Sequence, residues 1–473
     1  MLLESLSGPH PAWVMAAAGM VGVIAVARAL RPPATASDMH RRGTLVRASR
    51  GVTRTGRRGR GTRATAPVRL GGVALRQEEE ARHFKLIGTT GTGKSTAIRE
   101  LLRGALARGD RAVISDPDGA YLERFYNRYR GDVILNPFER HSRKWDPFAE
   151  ARCTFDYEEL ARSLIPEAED PMGREWRGYA RTFVAAVLRG CSHAGRRDVA
   201  ALWRLLAVAP IEELRPIVAG TPAQPFLHPD NARMFGSIRS VAVSAVAALE
   251  YVQQQRAAAF SVRDWVAGGQ GVLFVPYHAG QISALRSIIA TWMRLAIFQG
   301  LQRPAQERHH PLWYVIDELD ALGCIDGLKD ALARLRKFGG RCVLGFHSAA
   351  QVSGTYGIGE AQTIVENCGN TLILRCSSSE HGGTSQFASR LIGEREIVRR
   401  QTSRGRDRSS LLSRRDLRRS THVSDLHATE VAVMPSEIEQ LPDCMGYLKT
   451  ACSPHWRLVR LEPDTPWRST TSA

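Results

Sequence analysis

Short apolar runs recur along the chain, and stretches of helical spacing separate them. Phe84-Lys85-Leu86-Ile87, Arg111–Ser115, Val133–Leu135, Val272–Val275, Leu312-Trp313-Tyr314-Val315-Ile316, Cys342–Phe346 and Thr371–Leu374 are too short for helices and rich in β-prone side chains. They read as buried strands. After the first of them, Ile98, Leu101, Leu102, Ala105 and Leu106 fall at i, i+3, i+4, i+7 and i+8, which is one face of a helix. Strands alternating with helices predict an α/β fold on a mainly parallel sheet, covered on both sides. The pattern changes from about Ala149 to Tyr251. There Tyr179–Leu188, Val199–Ala207 and Ile238–Val252 have helical periodicity and β-prone runs are scarce. Prolines at 166, 171, 210, 216, 222, 225 and 229 punctuate the segment as breakers. Residues 149–251 are expected to form an inserted all-α domain, with 71–148 and 252–461 as the α/β body.

The N-terminus is patterned differently. Ala12–Ala27 is an uninterrupted uncharged run rich in Ala and Gly, and Pro32-Pro33 ends any helix. Pro11–Leu30 spans about twenty residues, enough to cross a bilayer if Arg28 snorkels. A cleaved secretory signal is the alternative, and Ala25-Val26-Ala27 offers a cleavage site of the right type. Against it, the first eleven residues contain Glu4 and no lysine or arginine. The residues after the run are strongly basic, which assigns that side to the cytoplasm. The expectation is one N-terminal transmembrane helix within residues 1–33, a basic juxtamembrane linker at 34–70, a cytoplasmic body, and a tail at 462–473.

Charge sharpens this picture. The 473 residues carry a formal net charge of +18. Residues 28–69 hold twelve arginines against Asp38 alone, and residues 399–419 hold nine arginines against two aspartates. Outside these segments the chain is formally neutral. Both are rich in Arg, Ser, Thr and Gly and read as loop-like. The first lies beside the expected anchor, where it can set topology, attract anionic lipid or meet nucleic-acid phosphates. Arg399–Arg419 is remote from the anchor. DNA contact suits it better, because neutralising a phosphate backbone needs cations rather than base-specific geometry. The eight cysteines include no C-x-x-C pair and none at zinc spacing from a histidine, so reduced core thiols are expected.

The chemistry is concentrated in Gly88-Thr89-Thr90-Gly91-Thr92-Gly93-Lys94-Ser95, which fits the phosphate-loop pattern G-x-x-x-x-G-K-[ST] between a strand and a helix. Glycines let backbone N–H groups turn inward around phosphates, and the helix N-terminus adds positive potential. Lys94 is placed to reach the β- and γ-phosphates of ATP, Ser95 to ligate Mg²⁺, and Thr96 to complete the binding turn. The run ending at Ile316 is followed by Asp317-Glu318. Asp317 would hold the Mg²⁺ shell and Glu318 would polarise the attacking water. An N-K-x-D guanine-recognition motif is absent, which favours ATP or loose nucleotide choice.

Further motifs follow one another in order. They are Glu80…His83-Phe84, Ile114-Ser115-Asp116-Pro117-Asp118-Gly119, Asn136-Pro137-Phe138, Trp145-Asp146-Pro147-Phe148 and Phe260-Ser261-Val262-Arg263-Asp264-Trp265. After them come Asp317–Gly323, Arg336-Lys337-Phe338-Gly339, Leu391–Glu396, Met434–Ile438 and Gly446-Tyr447-Leu448. With the phosphate loop, they resemble the conjugative coupling proteins of the TraD/TraG class, inner-membrane ATPases of type IV secretion systems. The resemblance runs from about residue 78 to 450. It implies a RecA-like nucleotide-binding domain with an inserted all-α domain, a homo-hexameric ring, and nucleotide held between subunits. It also implies binding of DNA with little sequence preference, a relaxase–DNA complex as partner, and delivery to a secretion channel at the bacterial inner membrane, driven by ATP and Mg²⁺. Arg336 matches the family's arginine finger, which a neighbouring subunit would supply. His347 stands where relatives commonly have a Gln that senses the γ-phosphate, and a neutral imidazole can donate or accept one hydrogen bond per nitrogen. Asp118 stands where many relatives have Lys, and one membrane helix is visible where members often carry two. Two other readings stay open: a related ring ATPase that moves DNA or protein outside conjugation, and a docking platform without hydrolysis.

Overall fold

The computed structural model describes residues 39–48, 67–168, 170–379, 382–406 and 419–462. The expected anchor at 11–30, most of the 34–70 linker, residues 407–418 of the second basic segment and nearly all of the 462–473 tail lie outside the described residues. Among the described residues, no helix is long and apolar enough to cross a membrane.

The larger of two compact units comprises residues 46–392 and 433–473. Its centre is a ten-stranded sheet. In chain order the strands are β1 (Val46–Ala48), β2 (Phe84–Ile87), β3 (Arg111–Pro117), β4 (Val133–Ile134), β5 (Val272–Tyr277), β6 (Leu312–Ile316), β7 (Gly340–Phe346), β8 (Asn370–Ile373), β9 (Met445–Lys449) and β10 (Trp456–Arg460). Across the sheet they run β1-β10-β9-β8-β2-β7-β6-β3-β5-β4. From β8 to β4 every neighbour is parallel. Only β9 runs against its neighbours, β8 and β10. Strands β2, β5 and β6 are buried at every residue. That is why β5 and β6 are continuous apolar runs rather than alternating ones, while the one charged side chain of β2, Lys85, is buried with its ammonium donating to Val365 O and Cys368 O. All the carboxyl ends of the parallel strands therefore open on one side, where ligands bind in open α/β sheets.

Helix α1 (Lys94–Arg108) packs Ile98, Leu101, Leu102 and Ala105 into the core beside Phe84, Leu86 and Trp313. The short α2 (Ala120–Phe125) follows β3. Between Trp145 and Ala259 the chain is helical: α3 (Thr154–Leu164), α4 (Pro171–His193), α5 (Val199–Ala207), α6 (Ile211–Val218), α7 (Ala232–Val246) and α8 (Leu249–Gln254). Pro171 opens α4, where its missing N–H costs nothing. Pro216 lies inside α6 rather than breaking it.

The stem of this helical segment is built from two motifs far apart in sequence. Lys144–Trp145 pairs in parallel with Ala259–Phe260. Glu150, buried, accepts from Trp145 Nε1 at 2.8 Å, Ser261 Oγ at 3.1 Å, and the backbone N–H groups of Val262 at 2.6 Å and Arg263 at 3.0 Å. The Trp-Asp-Pro-Phe and Phe-Ser-Val-Arg-Asp-Trp motifs are thus a structural clasp. A second tie joins α3 to α9 (Ile282–Gly300), where buried Arg294 binds Glu159 at 3.0 Å and the Ser163 hydroxyl at 2.8 Å.

The smaller unit comprises residues 1–45 and 393–432. Its described part is a three-stranded antiparallel sheet in which Glu394–Arg406 pairs with both Met39–Gly43 and Arg419–Val431. This corrects the loop-like reading of Arg399–Arg419, whose ends belong to two long strands. Composition hid the reason. Arg400 lies directly across from Asp425 and their side chains meet at 3.2 Å, and Arg395 meets Glu430 at 2.7 Å in the same way. Opposed charges stabilise a ladder that the arginine surplus alone argues against.

Candidate active site

The site forms where β2, β6, β7 and β3 end. Strand β2 delivers the chain to Gly88 and α1 starts at Lys94, so the phosphate loop bridges a buried strand and a helix N-terminus. Gly91 and Gly93 have φ of 77° and 114°, which side chains disfavour. At Gly93 a Cβ would also lie 3.2 Å from Cys444 Cα and from a Leu461 methyl. The loop is anchored from behind. Thr89 N donates to Arg375 O at 2.9 Å, and Thr92 O accepts from Cys444 N at 2.9 Å. The Thr92 hydroxyl donates to Thr89 O at 2.8 Å, while Thr90 and Gly91 form the exposed crest. Thr96 is buried in the first turn and accepts from Arg99 at 3.2 Å.

Lys94 is buried and folded over its own loop. Its ammonium donates to Gly88 O at 2.6 Å, Thr89 O at 3.2 Å and His347 Nδ1 at 2.9 Å. Burial lowers its pKa from the ordinary lysine value, while Asp317 and Glu318 pull the other way. An ammonium can only donate, so Nδ1 of His347 is the acceptor and the neutral ring carries its proton on Nε2. That nitrogen lies 3.5 Å from Glu318 Oε1. The His347 contact, more than desolvation, sets Glu318 and holds its carboxyl below the usual range. Glu318 is half-buried, open enough to meet water.

Asp317 is 3% exposed. Its Oδ2 accepts from Ser95 Oγ and from Tyr121 OH, each at 2.7 Å. Its Oδ1 is buried with no hydrogen-bond partner among the described residues. Burial raises its pKa, while the Tyr121 and Ser95 hydrogen bonds act against that. An orphaned carboxylate oxygen beside a serine hydroxyl is an all-oxygen, hard donor set, which fits Mg²⁺. Gly345 makes the approach possible. Its carbonyl accepts from Leu319 N at 2.9 Å, and a Cβ on it would lie 2.2 Å from Asp317 O.

Sequence reasoning missed Tyr121. Asp116, buried at the end of β3, accepts from the N–H groups of Tyr121 at 3.0 Å and Leu122 at 2.6 Å. Burial raises its pKa to about 6. This cap sets α2 so that the Tyr121 hydroxyl reaches Asp317. The Asp116-Pro117-Asp118-Gly119 motif stands just before Tyr121, but the 196 positions between Tyr121 and Asp317 gave no sign of the contact. Asp118, with φ of 58°, stays on the surface 3.7 Å from His278. Arg336 is not brought to this site. It lies exposed in a 3₁₀ turn before β7, whereas His347 follows the other end of that strand. Seven strand residues separate the two ends. At strand rise that is roughly 20 Å, beyond an arginine's reach.

A family model described as the type IV secretion-system coupling protein DNA-binding domain matches residues 67–461. The chain belongs to this coupling-protein family. Coupling protein TraD of Escherichia coli (strain K12) is 31% identical over 394 residues, covering 80% of this chain and 52% of that protein. The chain thus spans about half the length of the curated relative it matches. The plasmid coupling protein TrwB, solved with ADP and Mg²⁺, is 30% identical with a TM-score of 0.76, covering 90% of this chain and 94% of that one. TrwB with the non-hydrolysable ATP analogue ADPNP is 29% identical with a TM-score of 0.77, covering 90% and 95%. The coupling-protein motifs therefore divide by role. Those at the ends of β2, β3 and β6 build the site, Arg336–Gly339 lies before the opposite end of β7, and those at residues 145–148 and 260–265 hold the helical segment in place.

Proposed function

We propose that this coupling protein is a membrane-anchored, DNA-stimulated ATPase that binds a relaxase–DNA complex and drives DNA into a type IV secretion channel. The observation that carries it is the Ser95–Asp317 pair with an unpartnered buried oxygen, one residue from Glu318 and adjoining Lys94. TrwB, bound to ADP and Mg²⁺ in one structure and ADPNP in another, supports the same ligands here. Ser95 and Asp317 would hold Mg²⁺, which supplies neutralising charge to the phosphates. Lys94 exchanges its contacts with Gly88 O, Thr89 O and His347 for phosphate oxygens. Glu318, kept ionised by His347, orients water toward the γ-phosphate. His347, released by Lys94, can sense that phosphate through a protonated ring nitrogen, because phosphate oxygens only accept.

Arg336 acts on the neighbouring subunit's nucleotide, which ties hydrolysis to assembly as a hexameric ring. Its placement about 20 Å along β7 from its own site supports action in trans. The apolar run at 11–30 anchors the ring in the inner membrane, and the basic segments at 28–69 and 399–419 meet DNA phosphates.

Phosphate release by the whole chain in detergent, with and without single-stranded DNA, tests the reading. Lys94→Ala should lower the DNA-stimulated rate roughly 100-fold or more and abolish transfer in a mating assay. Equal turnover and transfer by the variant would overturn the motor.

A further inference from the structure

The outer edge of the large sheet carries a surface that the nucleotide site does not use. Strand β4 ends that sheet. Just before it the chain reads Arg124-Phe125-Tyr126-Asn127-Arg128-Tyr129-Arg130. Tyr129 is 93% exposed and Tyr126 is 44% exposed. The Arg128 guanidinium lies 5.9 Å from the Tyr129 ring centroid. The presentation is rigid. Asn127 accepts from Tyr129 N at 2.9 Å, capping the 3₁₀ turn Arg128–Arg130. Asn127 N donates to Asp132 at 2.8 Å, and Arg130 forks onto both oxygens of that carboxylate at 2.8 and 2.7 Å. The turn is therefore fixed at both ends while its ring faces solvent.

Beyond β4 the chain doubles back, and Arg143 N donates to Ile134 O at 2.9 Å. This return carries the exposed side chains of Arg140, His141 and Arg143. It also carries Phe138, 44% exposed and packed on Tyr251 with centroids 4.8 Å apart. Residues 124–144 contain six lysines and arginines against Asp132 and Glu139 only. The side chain of Asp132 is wholly buried and bound by Arg130, so it cancels that charge, and Glu139 alone stands against the remaining five cations of the segment.

Aromatic rings held apart by arginines on a fixed turn match one ligand class best. Bases stack on the rings whatever their sequence, and the guanidinium groups meet the phosphates between them. A second copy of this chain could cover the rings, but it would need an acidic counter-surface for the cations. We infer that Tyr126–Arg130, with Arg140 and Arg143, forms a stacking platform for single-stranded nucleic acid on the sheet edge. The identity of the occupant rests on the DNA-handling reading above, while the location does not.

Fluorescence anisotropy of labelled oligothymidine with the whole chain in detergent, titrated across salt, tests it. Tyr129→Ala should weaken binding roughly tenfold, the scale of one lost base stack, with an unchanged salt slope. Tyr129→Phe should keep wild-type affinity, because stacking needs the ring and not the hydroxyl. Arg128→Ala with Arg140→Ala should flatten the salt slope by about one unit per lost phosphate contact. Equal affinity of Tyr129→Ala and wild type would overturn the platform alone. Altered sedimentation of Tyr129→Ala with unaltered DNA affinity would also overturn it, assigning the edge to contacts between copies. A wild type that binds no DNA would overturn the platform together with the functional reading.

Discussion

Tyr121→Phe isolates how the metal-side carboxylate is held. In the structure, Asp317 Oδ2 accepts from Ser95 and Tyr121 at 2.7 Å each. Once Ser95 turns to a metal ion, Tyr121 is the hydroxyl left to orient that carboxylate. A hydrogen bond to a charged, buried acceptor contributes about 1.5–3 kcal/mol. At 1.36 kcal/mol per factor of ten, that corresponds to roughly 10–100-fold, the range found when a metal ligand loses its orienting partner. The phenyl ring keeps the same volume in the same buried place, so the thermal midpoint should move by only a few degrees, about 1 kcal/mol. The assay is phosphate release at fixed ATP across a Mg²⁺ titration. The half-saturating Mg²⁺ concentration should rise by about that factor, and excess Mg²⁺ should recover most of the rate. An unchanged Mg²⁺ midpoint with an intact fold would refute the reasoning and leave Tyr121 as a packing residue.

Three further outcomes are expected. His83 is buried, accepts from Cys342 N and contacts Leu332 O, each at 3.0 Å, and burial holds its pKa at about 4. Between pH 6.5 and 4 the unfolded chain takes up a proton that the folded one refuses. Stability should therefore fall by about 3 kcal/mol as pH drops through that window. Chemical denaturation at several pH values should show a flatter slope for His83→Gln; identical slopes would exclude His83 as the cause. Arg336→Ala and Lys94→Ala should each be inactive, yet their mixture should regain part of the ATPase rate, because some interfaces then pair an intact loop with an intact arginine; no recovery would count against a finger supplied in trans. Glu318→Gln should retain ATP binding, measured with a fluorescent analogue, and lose hydrolysis by roughly 100-fold, a general-base effect.

Much of this architecture is legible before folding. The strands around the site are continuous apolar runs because they are buried on both faces, so Leu312–Ile316 and Val272–Tyr277 identify themselves. The phosphate loop is legible because its glycines are dictated by local backbone geometry, as at Gly93. The strands at Glu394–Arg406 and Arg419–Val431 were not legible. The first is rich in arginine, and the acids that balance two of its arginines, Asp425 and Glu430, lie on the second. Tyr121 was hidden for the same kind of reason, since its partner Asp317 is 196 positions away.

What the sequence determined by itself is local: which apolar segments are buried strands, where the backbone must take a positive φ, and which residue types can bind phosphate or metal. Those properties depend on a few neighbouring residues and on the period of burial. Only the tertiary structure decided which of these groups meet. It set Ser95 and Tyr121 around the Asp317 carboxylate, linked Lys94 to Glu318 through His347, and left Arg336 at the far end of β7. It also turned Tyr129 outward on a sheet edge. The reason is physical: strand order and register convert distant sequence positions into neighbours, and the chemistry of a site lies in those distances.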